Sequence, residues 1–325
     1  MRKITWGVLG TAGIARGCTI PGMLEAENCR LYAIAGRNLE KAEAFQAEFG
    51  FEKAYGSYEA LLADPQVEAV YIPLPNELHY EWSIKAMKAG KHVLCEKPLA
   101  PTPAEIEQMQ AVAKENGVVL MEAFAYLHSP LMAAMKAELE KGTIGDILYA
   151  DSCFITSDYD ISNIRMRKAT FGGSVYDLGC YCTSQLLWLI GEEPASIQAV
   201  AQFSQENIDI LTTGILTFPS GVKASFQCGM LLATEKNERI DRFQIHGTLG
   251  SISTDARFNQ SGQLSYTVTS NGETRTEVVP VRQNYALEVE QLGRCITEGE
   301  APHVFWEFTL RNARTLDAIL KTIGY

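Results

Sequence analysis

Apolar and polar positions follow two alternating periods along the first third of the chain. Short apolar runs typical of buried strands recur there, and between them the apolar residues recur at helical spacing. The strand-like runs are Ile4–Leu9, Leu31–Ala35, Val67–Ile72, His92–Cys95 and Val118–Met121, and the helical stretches include Leu39–Phe49, Leu78–Lys88 and Ala104–Asn116. Strands that alternate with helices predict a parallel sheet covered on both faces, a doubly wound α/β fold. Asn38 and Thr102 are the expected N-caps of two of these helices, and Glu105 completes a capping box with Thr102.

The pattern changes after about residue 122. Helical stretches at Pro130–Glu140 and Val175–Ile190 precede alternating, strand-like runs, and helices at Tyr285–Ile296 and Phe308–Thr322 close the chain. The strand-like runs are Ser196–Phe203, Leu211–Phe218, Val222–Cys228 and Arg242–His246. The short turns between them favour antiparallel pairing. We therefore predict two domains, residues 1–122 with the parallel sheet and residues 123–325 with an α+β fold on a mainly antiparallel sheet.

Charge and cysteine content exclude several classes of protein. The 325 residues carry 28 Lys+Arg against 39 Asp+Glu, a net charge of −11, which argues against a nucleic acid or an anionic membrane as partner. No apolar run approaches the ~20 residues of a membrane span. The eight cysteines and five histidines show neither zinc-binding nor redox spacing. We expect a soluble protein of the reducing cytoplasm, with no metal.

A glycine-containing turn follows the first predicted strand. It consists of Gly10, Thr11, Ala12, Gly13, Ile14 and Ala15. Such a turn places free backbone amides and a helix N-terminus against the pyrophosphate of a dinucleotide. Ala12 replaces the middle glycine of the usual G-x-G-x-x-G/A fingerprint, so the turn alone leaves a purely structural strand-to-helix connection open. Its place directly after a strand favours nucleotide binding.

The end of the second predicted strand distinguishes NAD from NADP. A carboxylate ~20 residues after the phosphate turn binds the ribose hydroxyls of NAD. Here the segment is Gly36-Arg37-Asn38. A guanidinium matches a 2′-phosphate, which a carboxylate would repel. The alternative is an exposed surface arginine, although a cation beside a helix N-terminus opposes the helix dipole. Arg37 therefore favours NADP over NAD.

Several motifs together resemble the glucose-fructose oxidoreductase / inositol dehydrogenase / rhizopine catabolism (Gfo/Idh/MocA) family. They are Leu74–His79 (LPNELH), Cys95–Ala100 (CEKPLA), Gly172–Tyr181 (GGSVYDLGCY) and His246–Ser251 (HGTLGS). The resemblance covers nearly the whole chain, and its E-K-P element is the most specific part. It implies a Rossmann domain, a second domain with an open, mainly antiparallel sheet, a bound nicotinamide cofactor, and homodimers or larger homo-oligomers.

The resemblance also implies which residues approach the cofactor. Lys97 of the E-K-P element is expected to contact both cofactor and substrate, and Glu96 is expected beside the ribose. The other implied cofactor contacts in this region are Leu74, Asn76 and His79. Without the resemblance, a lone histidine on an amphipathic helix, such as His79, is more often structural.

Lys97 and Tyr181 are the expected reactive residues. Lys97 lies just beyond the fifth predicted strand, at the carboxyl edge where open α/β sheets bind ligands, and its charge favours a developing alkoxide. A solvated loop lysine is the alternative. The phenol of Tyr181 has an ordinary pKa near ~10, which a neighbouring ammonium lowers, so the phenol can accept or donate a proton. Relatives often have histidine here; the tyrosine resembles the branch of NADP-dependent xylose dehydrogenase and dimeric dihydrodiol dehydrogenase.

Asp177 and an arginine complete the predicted site. Asp177 lies one helical turn before the tyrosine and is a catalytic candidate. However, Ser174–Asp177 also fits a capping box, in which the carboxylate only satisfies a helix-start amide. Arg165 matches an arginine that relatives use near the substrate, and Arg167 is the alternative. The residues around 161–168 depart from the family pattern, so the substrate is the least determined feature.

These features predict an NADP(H)-dependent oxidoreductase that transfers hydride between nicotinamide and a secondary alcohol, or its carbonyl, of a sugar or cyclic diol. In the oxidation direction Tyr181 takes the hydroxyl proton and Lys97 stabilises the oxyanion. One alternative is a non-catalytic sensor of the dinucleotide, since the family's fold also serves in a transcriptional repressor. Another is an enzyme whose cofactor never leaves and cycles between two sugars.

Overall fold

The computed structural model describes residues 2–157, 159–231 and 238–325. The chain divides into two compact units, Met1–His128 with Arg282–Thr309, and Ser129–Val281 with Leu310–Tyr325. The boundary at residue 122 stays a prediction about independent domains. By compactness, the late segment Arg282–Thr309 groups with the first unit.

The elements follow in chain order. The strands are β1 (Ile4–Leu9), β2 (Cys29–Ala35), β3 (Lys53–Tyr55), β4 (Ala69–Ile72), β5 (His92–Glu96), β6 (Leu120–Ala123), β7 (Ile147–Thr156), β8 (Ser196–Phe203), β9 (Asp209–Thr217), β10 (Lys223–Gly229), β11 (Arg239–Gly247), β12 (Gly250–Thr254), β13 (Gly262–Ser270) and β14 (Glu273–Val281). The helices are α1 (Ile20–Glu25), α2 (Leu39–Phe49), α3 (Tyr58–Leu62), α4 (Asn76–Lys88), α5 (Pro103–Glu115), α6 (Pro130–Glu140), α7 (Cys180–Ile190), α8 (Asn284–Glu298) and α9 (Trp306–Ile323).

The first unit contains a parallel sheet in the order β3-β2-β1-β4-β5-β6. Every residue of β1 and β4 is buried, as expected for strands with helices on both faces. This is the strand order of dinucleotide-binding folds, and ligands bind such sheets outside the carboxyl ends of the strands, where the order reverses between β1 and β4. The prediction of a doubly wound parallel sheet is confirmed.

Local capping explains where the helices of this unit begin. The Lys41 amide donates to Asn38 Oδ1 over 3.1 Å, and Thr102 forms a reciprocal capping box with Glu105. Both predicted caps are confirmed. The sequence pattern missed β3 and α3 because they are only 3 and 5 residues long, too short to show a period.

The second unit contains a sheet in the order β14-β13-β12-β11-β7-β10-β9-β8. All neighbours in it are antiparallel except β7 and β10, which are parallel, so the prediction of a mainly antiparallel sheet is confirmed. Strand register places Val200, Ile215 and Tyr149 on one face, where they are 73%, 46% and 40% exposed. Within this unit that face is therefore open to solvent.

A π-helical turn over Val175–Gly179 leads directly into α7. The sequence predicted one helix over Val175–Ile190, and the structure has helical geometry over that whole range. The wider first turn carries Asp177, and π-turns of this kind are frequent at functional sites. None of the described helices combines the length and apolar character that crossing a bilayer requires.

Candidate active site

The predicted phosphate turn joins β1 to the first helix of the chain. Gly10 has a φ of 126°, which residues with a Cβ rarely adopt, and its amide donates to the Ala35 carbonyl oxygen over 2.8 Å. A Cβ on Gly10 would lie 3.0 Å from Leu74 Cδ2, so the glycine brings the turn against another predicted cofactor residue. The residues that follow, Thr11, Ala12, Gly13 and Ile14, are all partly or fully exposed. Helical geometry starts at Gly13, so the first-turn amides are available to an anion such as a pyrophosphate.

Arg37 follows β2 and is exposed. Burial raises the pKa of Tyr58, and Arg37 opposes that rise through its charge and a hydrogen bond, which places the guanidinium next to the phenol. The arginine thus stands at the end of the second strand, where NAD-binding folds have a carboxylate. Its charge suits a 2′-phosphate at this position.

Glu96 ends β5, and a chain of hydroxyl groups fixes its carboxylate. The Tyr71 hydroxyl donates to Glu96 Oε1 over 2.6 Å and accepts from Thr19 Oγ1 over 2.8 Å. Burial, followed by the charge of Glu96, raises the pKa of Tyr71, so the phenol remains a donor. Lys97 comes next, half-buried at the carboxyl edge of the sheet, and the Lys97–Pro98 peptide is cis.

His79 is completely buried on α4. Its Nδ1 lies 2.8 Å from the Pro98 carbonyl oxygen and its Nε2 lies 2.7 Å from the Leu74 carbonyl oxygen. Burial lowers the pKa of His79, and the charge of Lys97 adds to this effect, whereas the two carbonyls oppose it. Both ring nitrogens thus face main-chain oxygens, and a cofactor contact of His79 stays a prediction. Asn76, also predicted to contact the cofactor, is the first residue of α4 and is half-buried.

Glu122 on β6 is a site neighbour to which the sequence analysis gave no role. It is 4% exposed, and its Oε1 accepts from the Leu99 amide over 3.0 Å. Burial raises the pKa of Glu122 to about 7, although the Leu99 amide and the charge of Lys97 act in the opposite direction. The available signal was its place directly after the strand-like run Val118–Met121.

In the second unit, the structure brings two predicted site residues together. Arg165 Nε donates to Asp177 Oδ2 over 2.6 Å, with the arginine side chain 45% and the aspartate side chain 20% exposed. Arg167, the alternative, donates instead to the Ser162 carbonyl oxygen over 3.4 Å. The geometry favours Arg165 as the arginine that acts with Asp177.

Another carboxylate, Asp209, holds the start of this helical segment. Its Oδ2 accepts from Ser174 Oγ over 2.6 Å, from the Val175 amide over 2.8 Å and from Thr212 Oγ1 over 3.1 Å. Burial raises the pKa of Asp209 to about 6 against the effect of these donors. Ser174 makes no capping bond, so the capping-box alternative is not formed. Gly173 has a φ of 105°, and a Cβ there would overlap Asp209 Oδ1, which explains the second glycine of the pair.

Tyr181 lies on the first turn of α7 between aromatic neighbours. Its ring centroid is 5.5 Å from that of Phe154 and 5.2 Å from that of Phe258. Asn259 Nδ2 donates to the Tyr181 hydroxyl over 3.5 Å. The sequence analysis missed these neighbours because they come from β7 and from the connection between β12 and β13, far away in the chain.

Two family models match the chain. A model described as an oxidoreductase family with an NAD-binding Rossmann fold matches residues 4–124. A model described as the GFO/IDH/MocA C-terminal domain matches residues 132–253.

Curated relatives align along most of the chain. It is 35% identical to D-xylose 1-dehydrogenase (NADP(+)) 2 of Haloferax volcanii, over 98% of this chain and 96% of that protein. It is 37% identical to trans-1,2-dihydrobenzene-1,2-diol dehydrogenase of Mus musculus, over 70% of this chain and 68% of that protein.

Solved structures share the fold over the full length. A 3-ketoreductase from Actinomadura kijaniata in complex with NADP and TDP-benzene has a TM-score of 0.91 and 30% identity, with 99% of this chain and 98% of that chain covered. An aldose-aldose oxidoreductase from Caulobacter crescentus complexed with glycerol has a TM-score of 0.91 and 26% identity, with the same coverage of 99% and 98%.

Proposed function

Because this chain belongs to the GFO/IDH/MocA oxidoreductase family, we propose that it transfers hydride between NADP(H) and a secondary alcohol, or its carbonyl, of a sugar or cyclic diol. The substrate class follows the relatives, which are named as dehydrogenases of D-xylose and of a dihydrobenzenediol and as a 3-ketoreductase. A panel of aldoses, inositols and cyclic diols determines which sugar or diol reacts.

The position of Lys97 carries the proposal. In a parallel sheet the carboxyl ends of all strands lie at one edge, so Lys97 after β5 shares an edge with the phosphate turn after β1. An ammonium at that edge is available to an oxygen that gains negative charge during hydride transfer. A solvated loop lysine without a catalytic role could lie anywhere on the surface, whereas Lys97 lies at the ligand-binding edge of the sheet.

Tyr181, Asp177 and Arg165 have distinct roles in the proposed reaction. In its phenolate form Tyr181 takes the proton of the substrate hydroxyl during oxidation, and the resulting phenol returns that proton during reduction. The ion pair of Arg165 and Asp177 orients the substrate hydroxyls with charged donors and acceptors. Lys97 holds the reacting oxygen. The nicotinamide, when bound, accepts or supplies the hydride.

NADP is the preferred cofactor in this proposal. Arg37 supplies a cation where a 2′-phosphate lies, and no acidic residue stands in the segment 36–38 to bind the ribose of NAD. The xylose dehydrogenase relative is named for NADP(+), and the 3-ketoreductase was solved with NADP. Gly10–Ile14, Leu74, Asn76, His79 and Glu96 complete the proposed cofactor contacts.

A closed cycle between two sugars is the second candidate. The likeness to an aldose-aldose oxidoreductase favours it, because such a reaction needs no release of cofactor. An absorbance spectrum of the purified protein distinguishes the two, since a trapped nicotinamide absorbs in the near ultraviolet after purification.

The test is NADPH formation by the purified protein over a panel of aldoses, inositols and cyclic diols, with NAD⁺ in parallel. Turnover with NADP⁺ and one substrate class supports the proposal. If no substrate is turned over with either cofactor and the protein binds nicotinamide tightly, the closed cycle or a dinucleotide sensor is favoured.

Oligomeric state and location are also part of the proposal. The open face of the second unit exposes Val200, Ile215 and Tyr149, and a second copy of the chain would cover these apolar groups in a homodimer. None of the eight cysteines, all of which lie in the described part of the chain, forms a disulfide, which supports the reducing cytoplasm. Light scattering of the purified chain measures the oligomeric state, and a monomer would contradict this use of the face.

A further inference from the structure

The Pro98–Leu99 peptide group, shortly after Lys97, has both of its polar atoms in contact with buried side chains. The carbonyl oxygen of Pro98 lies 2.8 Å from His79 Nδ1, and the amide of Leu99 donates to Glu122 Oε1 over 3.0 Å. This oxygen and this amide belong to the same peptide group. His79 is 0% and Glu122 is 4% exposed, so water does not compete for either bond.

The two side chains reach this peptide group from different elements. His79 comes from α4 and Glu122 from β6, while Lys97 follows β5. His79 Nε2 lies 2.7 Å from the Leu74 carbonyl oxygen, so the imidazole lies between the loop after β4 and the loop after β5, and its Nδ1–H tautomer donates to the Pro98 oxygen. The charge of Lys97 lowers the pKa of both His79 and Glu122.

We propose that His79 and Glu122 are positioning residues that hold the Pro98–Leu99 peptide group, the second peptide group after Lys97, and thereby fix the direction of the lysine side chain. The inference rests on the proposed function, in which Lys97 holds the reacting oxygen. A displacement of a catalytic group by about 1 Å costs up to ~100-fold in rate, so a fixed backbone next to the lysine matters for turnover. Glu122 contributes an oxygen acceptor, which is present in both of its protonation states and also in glutamine.

The kinetic test compares Glu122→Gln with Glu122→Ala, with NADP⁺ and D-xylose or the panel substrate of highest turnover. Glu122→Gln keeps the acceptor, and its kcat stays within about threefold of the parent chain. Glu122→Ala loses the acceptor, and its kcat falls about tenfold or more.

A double variant separates positioning from general structural damage. If Glu122 acts through Lys97, then Lys97→Met with Glu122→Ala is no slower than Lys97→Met alone, because the positioned group is already gone. If the double variant loses the product of the two single-variant rate losses, the positioning role is wrong. It is also wrong if kcat falls equally in Glu122→Gln and Glu122→Ala. In both cases the proposed function stands. Full turnover of Lys97→Met overturns both.

Amide hydrogen exchange in the full chain tests the contact without a substrate. Leu99 exchanges slowly in the parent chain and in Glu122→Gln, and faster in Glu122→Ala. If Glu122→Ala does not fold, His79→Leu replaces it, with faster exchange of the Leu74–His79 and Lys97–Leu99 segments as the expected result. Rapid exchange of Leu99 in the parent chain overturns the inference.

Discussion

The side chains around Tyr181 restrain the ring that is proposed to take part in proton transfer. Phe154 and Phe258 pack against the ring at centroid distances of 5.5 and 5.2 Å, which restricts its rotation. Asn259 Nδ2 donates to the phenol oxygen over 3.5 Å.

The first residue-scale prediction concerns this hydroxyl. Tyr181→Phe keeps the ring packing but removes the proton-transfer group, so we expect kcat to fall by ~10²–10⁴-fold. The unfolding temperature should change little. Tyr149→Phe, which removes a hydroxyl from the open face of the sheet, is the matched control and should keep its turnover. A Tyr181→Phe enzyme as fast as the parent would exclude the phenol from proton transfer.

The second residue-scale prediction concerns cofactor choice. Arg37→Gln removes the cation proposed to bind the 2′-phosphate, and a lost charge-assisted hydrogen bond of ~1.5–3 kcal/mol raises KM for NADP⁺ by ~10–100-fold. KM for NAD⁺ should stay nearly constant. Arg30→Gln removes an arginine of β2 that pairs with Glu52, and it serves as the control. An equal rise of both KM values would contradict a specific role of Arg37.

At the scale of elements, the helical segment that carries Asp177 and Tyr181 depends on a carboxylate from another strand. Asp209 on β9 accepts three hydrogen bonds, two of them from the start of this segment. It thereby replaces the local capping box that the sequence pattern allowed. The orientation of the proposed catalytic residues thus depends on sheet register as well as on helix propensity.

The element-scale prediction follows from these bonds. Asp209→Ala leaves buried donors without an acceptor and should lower the free energy of unfolding by ~2–4 kcal/mol, measured by urea titration. Asp209→Asn keeps one acceptor oxygen and should lose clearly less stability. Equal stability of Asp209→Ala and the parent chain would show that these bonds do not hold the helix start.

The elements themselves were largely predictable from the sequence. Long periodic segments such as Leu39–Phe49 and Pro130–Glu140 have the predicted bounds because local propensity, capping and burial agree there. The order of the strands and the parallel pairing of β7 with β10 could not be predicted. Both depend on tertiary contacts and do not change the local periodicity of the sequence. For the same reason the roles of Glu122, Asp209 and Asn259 could not be predicted.

At the scale of the whole molecule, three buried carboxyl groups with raised pKa values contribute to how stability depends on pH. Burial raises the pKa of Glu122 from 4.5 to about 7 and that of Asp209 from 3.8 to about 6, and it also raises the pKa of Glu288. Between the ordinary and the raised pKa the folded chain holds protons that the unfolded chain releases. Stability from these groups is therefore complete below about pH 4 and is lost as the pH rises towards 7.

Glu122→Gln provides the test of this dependence. Glutamine does not ionise, so the variant should gain up to ~3 kcal/mol of stability relative to the parent chain as the pH rises from 5 to 8. The measurement is urea unfolding of both chains at several pH values in this range. A constant stability difference across the range would mean that Glu122 ionises normally in the folded protein.

The central proposal is that Lys97 acts on the reacting oxygen during hydride transfer, and its most direct test is the turnover of Lys97→Met at saturating NADP⁺. We expect NADPH formation to fall by ~10²-fold or more, since methionine fills the space without the charge. Binding of NADPH to the variant should remain detectable by NADPH fluorescence. Lys88→Met, which removes an exposed lysine at the end of α4, should keep the parent rate. Full turnover by Lys97→Met with normal cofactor binding would contradict the proposed chemistry.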